Sequence, residues 1–233
     1  MMRKLLSGLA VAAMLATAFA APSRAASEPD TWDGLQKVKS KRMDAAYLLP
    51  GADFRVYNKL MVDPVQVAFR KNWERDVNRS SRSAGKRVTA EDAERARKAM
   101  SEGFAEILAE EFRKAKYEVV TAPGPDVLRL TPLIVDVYIN APDTMEPGRS
   151  YTFTVEAGEA TLALEARDSE TNQLLGRAVD ARSTGETGRM TWTTSVTNRQ
   201  EFERLFHIWA GNLADGMASL KAASPIAPKE PKK

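Results

Sequence analysis

The chain has 233 residues, with 34 Lys and Arg, 31 Asp and Glu, one His and no Cys. This length suits one domain or two small ones, and 43% hydrophobic with 28% charged residues is ordinary for a soluble globular protein. The absence of Cys excludes disulfide scaffolds, thiolate metal sites, cysteine nucleophiles and a lipobox cysteine. A single His excludes metal sites built from several His ligands.

The first 25 residues predict an export signal. The basic pair Arg3 and Lys4 precedes an uncharged stretch over residues 5–21, which ends at Pro22. Small residues then occupy the two positions that a signal peptidase reads before a cleavage point after Ala25. A second cleavage site within residues 18–20 and an uncleaved anchor are the alternatives. The uncharged stretch is short for a membrane span, so we expect a cleaved signal peptide over 1–25.

Cleavage after Ala25 changes the charge balance. The 34 basic residues less the three at positions 3, 4 and 24 leave 31, which equals the 31 acidic residues. A nucleic-acid-binding protein normally keeps a basic surplus, so we expect no nucleic acid partner. No later stretch approaches about 20 apolar residues. We therefore expect an exported protein, periplasmic or secreted, that is soluble after signal cleavage.

The mature chain begins with a polar lead over residues 26–43. Extended runs follow at 45–49 and 60–69, and the second is interrupted by Pro64, which marks an edge or a bend. After a basic segment over 70–87, Thr89 and Asp92 form a capping-box pattern. Apolar residues spaced three and four apart then predict a helix of about seven turns that begins near residue 90.

The second half of the chain reads mainly as strands. Extended segments are predicted at 117–121, 127–140, 151–167 and 174–181, with a hairpin loop over 168–173 between the last two. In the second of these, residues 133, 135, 137 and 139 are expected to share one face of the sheet. A final amphipathic helix is expected to begin near Thr197, and residues 222–233 are expected to form a disordered Pro- and Lys-rich tail.

The predicted order is β-β-α-β-β-β-β-α. Two amphipathic helices each need an apolar surface to cover, and an antiparallel sheet supplies one. We therefore predict a single α+β domain over residues 44–221, with a mostly antiparallel sheet and both amphipathic helices packed on one face.

Several stretches, taken in this order, resemble one bacterial family. They are Trp32–Leu35, Tyr47–Phe54, Val62–Trp73, Pro125–Leu130, Asp136–Pro142, Ala160–Leu164 with Asp168–Ser169, and Asn198 leading to Trp209–Ala210. The chain resembles, over about residues 28–221, the family catalogued as domain of unknown function 3313. Its members are mostly exported proteobacterial proteins, many of them described as lipoproteins. The resemblance implies a cell-envelope location and no established activity, and the missing Cys at the signal end departs from the lipoprotein members.

Candidate chemical residues are few. His207 falls about 130° from the centre of the apolar stripe of the last helix, at 100° per residue, so we expect it to face solvent. Asp136 lies within an apolar strand, where a carboxylate is either a perturbed acid or base or an outward-facing strand residue. The acidic loop over 168–173 departs from the EF-hand calcium pattern and fits turn chemistry. No nucleotide-binding, zinc-protease or serine-hydrolase motif is present, so we predict no catalytic residue, no cofactor and no metal.

The basic segment 70–87 and the Lys229–Lys233 tail suggest a second kind of function. Such a segment can contact anionic lipid or polysaccharide, with Trp73 adding a stacking or interfacial contact, although a solvated loop is the simpler interpretation. A sequon at Asn78–Ser80 matters only in a glycosylating host.

Three hypotheses follow. The first is a non-enzymatic periplasmic binding or interaction module whose partner is an envelope protein or glycan. The second is a peripheral binder of anionic lipid or polysaccharide through residues 70–87. The third, which has least support, is a carboxylate-dependent hydrolase acting through Asp136.

Overall fold

The computed structural model describes residues 29–80, 87–139, 152–154, 158–184, 191–193 and 195–229. In chain order, the strands are β1 Thr31–Trp32, β2 Leu35–Val38, β3 Ala45–Leu48, β4 Lys59–Val62, β5 Gln66–Phe69, β6 Glu118–Val120, β7 Val127–Ile139, β8 Thr152–Thr154, β9 Gly158–Asp168, β10 Leu174–Thr184 and β11 Thr191–Thr193. The helices are α1 Trp73–Ser80, α2 Ala90–Lys114 and α3 Ser195–Ala223, with a 3-10 turn at Phe54–Val56. The predicted α+β class is confirmed.

One mixed sheet contains nine of these strands. Its order is β1-β2-β3-β10-β9-β7-β4-β6, and β5 pairs with β7 beyond the end of β4. In this spatial order, each neighbouring pair from β1 to β7 (β1-β2-β3-β10-β9-β7) is antiparallel. By contrast, β4 runs parallel to β6 and β7, and β5 runs parallel to β7. β8 and β11 form a separate antiparallel ribbon.

The helices α2 and α3 pack against each other and against the sheet. The rings of Phe104 in α2 and Phe206 in α3 lie 5.2 Å apart, and Trp209 contacts Phe104 edge-on at 6.1 Å. All three side chains are almost fully buried. These aromatic contacts hold the helix pair as one layer over the sheet.

The start of α2 has the predicted capping box. Thr89 Oγ1 accepts a hydrogen bond from the backbone N–H of Asp92 at 3.2 Å, and Asp92 Oδ2 accepts one from the backbone N–H of Thr89 at 2.8 Å. Two amide groups at the helix start are thereby satisfied by side chains.

The polar lead is more structured than predicted. β1 and β2 form a hairpin that extends the sheet beyond β3, and Leu35 is fully buried. Trp32 packs edge-on against Tyr47, with ring centroids 5.6 Å apart. This second apolar cluster lies on the sheet face opposite the helices, because Tyr47 and Leu48 are adjacent in β3 and point to opposite faces.

The strand β7 contradicts the predicted face assignment. Ile134, Val137 and Ile139 are buried, whereas residues 133 and 135 are only partly buried. The cause is a bulge between Val135 and Tyr138 in the pairing with β9, where Asp136 has a positive φ of 52°. The extra residue reverses the alternation of the strand beyond it.

Three further expectations change. Part of the basic segment is helical, as α1, instead of forming a loop. The predicted strand 151–167 is divided into β8 and β9, with residues 155–157 outside the described part of the chain. The expected disordered tail is ordered up to Lys229, because Ile226 is buried and exchanges backbone hydrogen bonds with Gly51 and Ala52.

Candidate functional site

An apolar cavity of about 420 Å³ lies between α3 and the sheet. Ligand-binding pockets typically enclose about 300–1,000 Å³, so this volume is enough for a small molecule. The residues that line it come from the end of β2 and the β2–β3 loop, from β3, β7, β9 and β10, and from α3, with Phe54 and Phe112 also contributing. It is therefore an opening within the main core.

The floor of the cavity consists of two rows of residues that cross the sheet. One row is Leu48, Gly176, Ala166 and Leu130, and the other is Ala46, Ala178 and Leu164. Four of these seven residues are Ala or Gly. Short side chains beneath a helix leave space that Val or Leu would fill, so the cavity results from this composition.

The roof of the cavity is the second half of α3. Leu213, Met217 and Leu220 supply apolar side chains, and Gly216 lies among them. A Cβ atom built on Gly216 meets no heavy atom within 4 Å. The helix backbone is therefore exposed to open space at that point.

The rim of the cavity is the loop over residues 39–44, between β2 and β3. Asn212 of α3 donates a hydrogen bond to the carbonyl oxygen of Arg42 at 3.1 Å. Ser40 Oγ accepts hydrogen bonds from the backbone N–H groups of Arg42 and Met43, at 3.2 and 3.0 Å. These contacts give the loop a defined conformation beside the opening.

A buried carboxylate anchors both the loop and the helix. Asp180 in β10 is 1% exposed; its Oδ1 accepts a hydrogen bond from the backbone N–H of Asp44 at 3.1 Å, and its Oδ2 accepts one from Trp209 Nε1 at 2.9 Å. Arg182 also pairs with this carboxylate. Both oxygens of Asp180 therefore have partners, and Asp180 does not line the cavity. This group is a structural anchor and not a reactive acid facing the cavity.

The other predicted candidates lie apart from the cavity. His207 is exposed, as its helical position predicted, and its Nδ1 lies 3.3 Å from Glu111 Oε1. The hydrogen bond from Lys114, and then the contact with His207, lowers the pKa of Glu111. Asp136 is exposed at the β7 bulge. Neither His207 nor Asp136 lines the cavity.

The acidic loop is organised by its own turn. Asp168 Oδ1 accepts hydrogen bonds from the backbone N–H groups of Glu170 and Thr171, at 3.1 and 2.7 Å, and Oδ2 accepts one from the Tyr57 hydroxyl at 2.9 Å. The Thr171 backbone bond is the main cause of the lowered pKa of Asp168. Within the described ranges, no group of three or more His, Cys, Asp or Glu residues is placed to hold a metal ion.

The basic segment 70–87 is partly integrated into the fold. Trp73 is 3% exposed, stacks on Phe69 with centroids 4.0 Å apart, and donates a hydrogen bond from Nε1 to the carbonyl oxygen of Ile139 at 3.0 Å. Trp73 therefore does not supply the interfacial contact suggested for the membrane-binding alternative, because its indole ring is in the core. Arg70 pairs with Glu159, and Arg75 with Asp76. Residues 81–86 lie outside the described part of the chain.

Comparison with known proteins gives a family. The model described as "Protein of unknown function (DUF3313)" matches residues 22–213. The chain belongs to the DUF3313 family. The resemblance noted in the sequence is thus confirmed, and membership of DUF3313 carries no activity with it. A search of curated proteins gave no match.

Solved structures with a related architecture are distant. A PelC dodecamer from Paraburkholderia phytofirmans is 12% identical, with a TM-score of 0.33, and the match covers 70% of this chain and 95% of that chain. A Xanthomonas campestris protein of the DUF330 family is 12% identical, with a TM-score of 0.39 and coverage of 72% and 87%. A Helicobacter pylori protein named as a neuraminyllactose-binding hemagglutinin homolog is 11% identical, with a TM-score of 0.40 and coverage of 75% and 92%. These similarities are too low to carry a functional argument.

Among the residues that the structure describes, no helix is both long and apolar enough to cross a membrane. The sequence alone did not predict the cavity. Its small residues are far apart in the chain, and the alternation in β9 and β10 shows only that they are apolar. Only the strand register brings Ala46, Ala166, Gly176 and Ala178 under one helix.

Proposed function

We propose that this protein is a non-enzymatic binding module of the bacterial cell envelope, which holds an apolar ligand in the cavity beneath α3. The observation that carries the proposal is the cavity of about 420 Å³, floored by small residues and roofed at Gly216. Protein cores normally pack without voids larger than a water molecule, and empty apolar space lowers stability. A ligand that fills the cavity would recover those lost contacts.

The lining chemistry supports binding and not catalysis. Among the described residues that line the cavity, all are apolar except Ser40, Asn212, Ser219, three basic residues of the loop and one of β10. None of these described lining residues is an acid or a His. Acid-base catalysis by a carboxylate or a His, and the activation of a serine nucleophile by a His, require such groups within reach of a bound substrate. An apolar lining also suits a hydrophobic ligand better than a glycan, whose hydroxyl groups would lose their hydrogen bonds to water.

Two variants of α3 test this function. Titration of the mature chain with the neutral apolar dye Nile red should give saturable fluorescence. Gly216→Leu should weaken the dye affinity about ten-fold or more, because its side chain would occupy the cavity. Gly211→Leu is the matched control, because a Cβ at Gly211 also meets nothing within 4 Å and Gly211 does not line the cavity. Equal dye binding by both variants would sink the proposal.

Export is the second part of the proposed function. It is supported by the signal-like residues 1–25 and by the envelope location that the DUF3313 resemblance implies. Fractionation of cells that express the full chain, followed by mass measurement of the product, tests it. A periplasmic product that begins at residue 26 is expected, and an intact cytoplasmic chain would contradict it.

Anionic lipid or polysaccharide binding through residues 70–87 is the alternative function. What favours it is the group of exposed cations in this segment, among them Lys71, Arg79 and Arg87. Against it, Trp73 is buried, and Arg70 and Arg75 pair with carboxylates. Salt-sensitive retention on anionic vesicles that Lys71→Glu abolishes would favour this alternative. The hydrolase hypothesis has least support, because Asp136 is exposed at a bulge, away from the cavity.

A further inference from the structure

The mouth of the cavity is basic, whereas its interior is apolar. Lys39, Lys41 and Arg42 are exposed on the β2–β3 loop and are among the residues that line the cavity. Of the lining residues that the structure describes, none is acidic. An apolar chamber with cations at one end matches a molecule that is apolar along its length and negatively charged at its head.

Asp215 and Asp44, the carboxylates of the roof helix and the rim loop, leave much of this positive charge uncompensated. Asp215 Oδ2 lies 3.7 Å from Arg42 Nε, but the Asp215 side chain is 70% exposed and outside the lining. Asp44 Oδ2 accepts a hydrogen bond from the backbone N–H of Ala181 at 2.9 Å. Within the described ranges, Lys39 and Lys41 form no ion pair that would compete with a ligand.

The loop that carries these cations is anchored at two points. The N–H of Asp44 is bonded to buried Asp180, and the carbonyl of Arg42 is bonded to Asn212 on the roof helix. The ammonium groups are therefore carried on a backbone whose position relative to the cavity is fixed. Such preorganisation reduces the entropy that a ligand would lose on ordering the loop.

We infer that the ligand is a single-chain anionic amphiphile, whose alkyl chain lies in the cavity and whose carboxylate or phosphate lies against Lys39 and Lys41. This inference rests on the proposed function. The volume of about 420 Å³ is near the lower end for ligand pockets, which suits one alkyl chain better than two. A fatty acid and a lysophospholipid share this chemistry.

Calorimetric titration with four ligands that each have a twelve-carbon chain separates the contribution of the headgroup from that of the tail. Dodecanoate and dodecyl phosphate are expected to bind about ten-fold more tightly than dodecanol, and more tightly still than dodecyltrimethylammonium. The stronger of the two anions assigns the source as a fatty acid or a phosphate headgroup. Raising the salt concentration should weaken the anions and leave dodecanol unchanged.

Charge reversal at the rim provides the matched test. Lys41→Glu should lower dodecanoate affinity about ten-fold and leave dodecanol affinity unchanged, because it acts on the headgroup alone. Lys71→Glu is the control, since it reverses the same charge at an exposed residue that does not line the cavity. The double variant Lys39→Glu with Lys41→Glu should bind dodecanoate more weakly than Lys41→Glu alone.

Different outcomes would contradict the anionic headgroup and the proposed binding of an apolar ligand. Equal affinity for anionic, neutral and cationic ligands, all blocked by Gly216→Leu, would overturn the anionic headgroup and keep the apolar binding function. Failure of all four ligands and of Nile red to bind would overturn both. Anion binding that survives Gly216→Leu but falls with Lys71→Glu would move the site to the basic segment.

Discussion

The indole nitrogen of Trp209 donates a hydrogen bond to Oδ2 of Asp180 at 2.9 Å, and both residues are at most 1% exposed. This bond joins α3 to β10 next to the cavity. Oδ1 of the same carboxylate accepts a hydrogen bond from the backbone N–H of Asp44. One buried group therefore fixes the positions of both the roof helix and the rim loop. The cavity thus depends on a polar anchor within the core.

Removal of the Asp180 carboxylate should lower the free energy of unfolding. Asp180→Ala leaves the buried N–H of Trp209 and the part-buried N–H of Asp44 without their acceptor. A buried donor without a partner costs about 1–3 kcal/mol. We expect a loss of roughly 2–5 kcal/mol in the free energy of unfolding, measured by urea denaturation. Asp215→Ala removes an exposed carboxylate from α3 and should change it by about 0.5 kcal/mol or less. Similar losses in both variants would contradict the anchoring role.

The first residue of β9 must lack a side chain. A Cβ built on Gly158 would lie 2.3 Å from the carbonyl oxygen of Tyr138 and 2.9 Å from Cζ of Phe202. We expect Gly158→Ala to reduce the free energy of unfolding by about 2 kcal/mol or more, because backbone has to move. Gly211→Ala, which meets nothing within 4 Å in a helix, should instead raise it by up to about 1 kcal/mol. A neutral Gly158→Ala would show that the β7–β9 approach is looser than described.

Asp136 lies at the bulge in β7. We expect its role to be in the backbone conformation and not in acid-base chemistry. Its φ of 52° is in the left-handed region, which costs most L-residues roughly 1–2 kcal/mol but glycine little. Asp136→Gly should therefore keep or raise the free energy of unfolding, whereas Asp136→Ala should lower it by about 1 kcal/mol. Thermal denaturation of the two variants measures the difference. Loss of Nile red binding in Asp136→Gly would instead give this residue a role at the site.

The Asp168 turn should make stability depend on pH. The bonds from Thr171, Glu170 and Tyr57 lower the pKa of the Asp168 carboxyl below its ordinary value of 3.8. A carboxyl whose pKa is lower in the folded state stabilises the fold above its unfolded pKa, and this contribution is lost as pH falls through the folded value.

Asp168→Asn should therefore be less stable than the natural chain at neutral pH, by about 1–3 kcal/mol. The difference in the free energy of unfolding should narrow as pH falls below about 4, because the carboxyl becomes protonated there in the unfolded natural chain and only at lower pH in the folded chain. Urea denaturation across this range measures it. Glu170→Gln in the same exposed loop is the charge-matched control, and a gap that stays constant with pH would refute the assignment.

Local patterns predicted α2 and α3 but predicted neither α1 nor the bulge in β7. The box of Thr89 and Asp92 and the apolar spacing of α2 are properties of neighbouring residues, so the sequence alone located that helix. The face of β7 depends on one extra residue, Asp136, which reverses the alternation halfway along the strand. Nothing local to residues 133–139 marks that position, because Asp is only one of several residues that tolerate positive φ.

The cavity depends on relationships that a single sequence does not reveal. Ala46 and Ala178 are partners across two strands, as are Ala166 and Gly176, and each alone is an unremarkable small residue. Likewise, the sequence indicates only that the cations of the loop over 39–44 belong to a polar lead. The fold adds that α3 contacts this loop through Asn212. The helix-on-sheet architecture was predictable; the space inside it was not.

Methionine methyl groups offer the most direct test of the cavity as a ligand site. Met43 and Met217 line it, whereas Met61 and Met100 do not. In NMR spectra of the mature chain with isotope-labelled methionine methyls, addition of dodecanoate should shift the Met43 and Met217 signals in a saturable manner. The Met61 and Met100 signals should remain in place. Dodecanoate binding that leaves Met43 and Met217 unshifted would contradict the account.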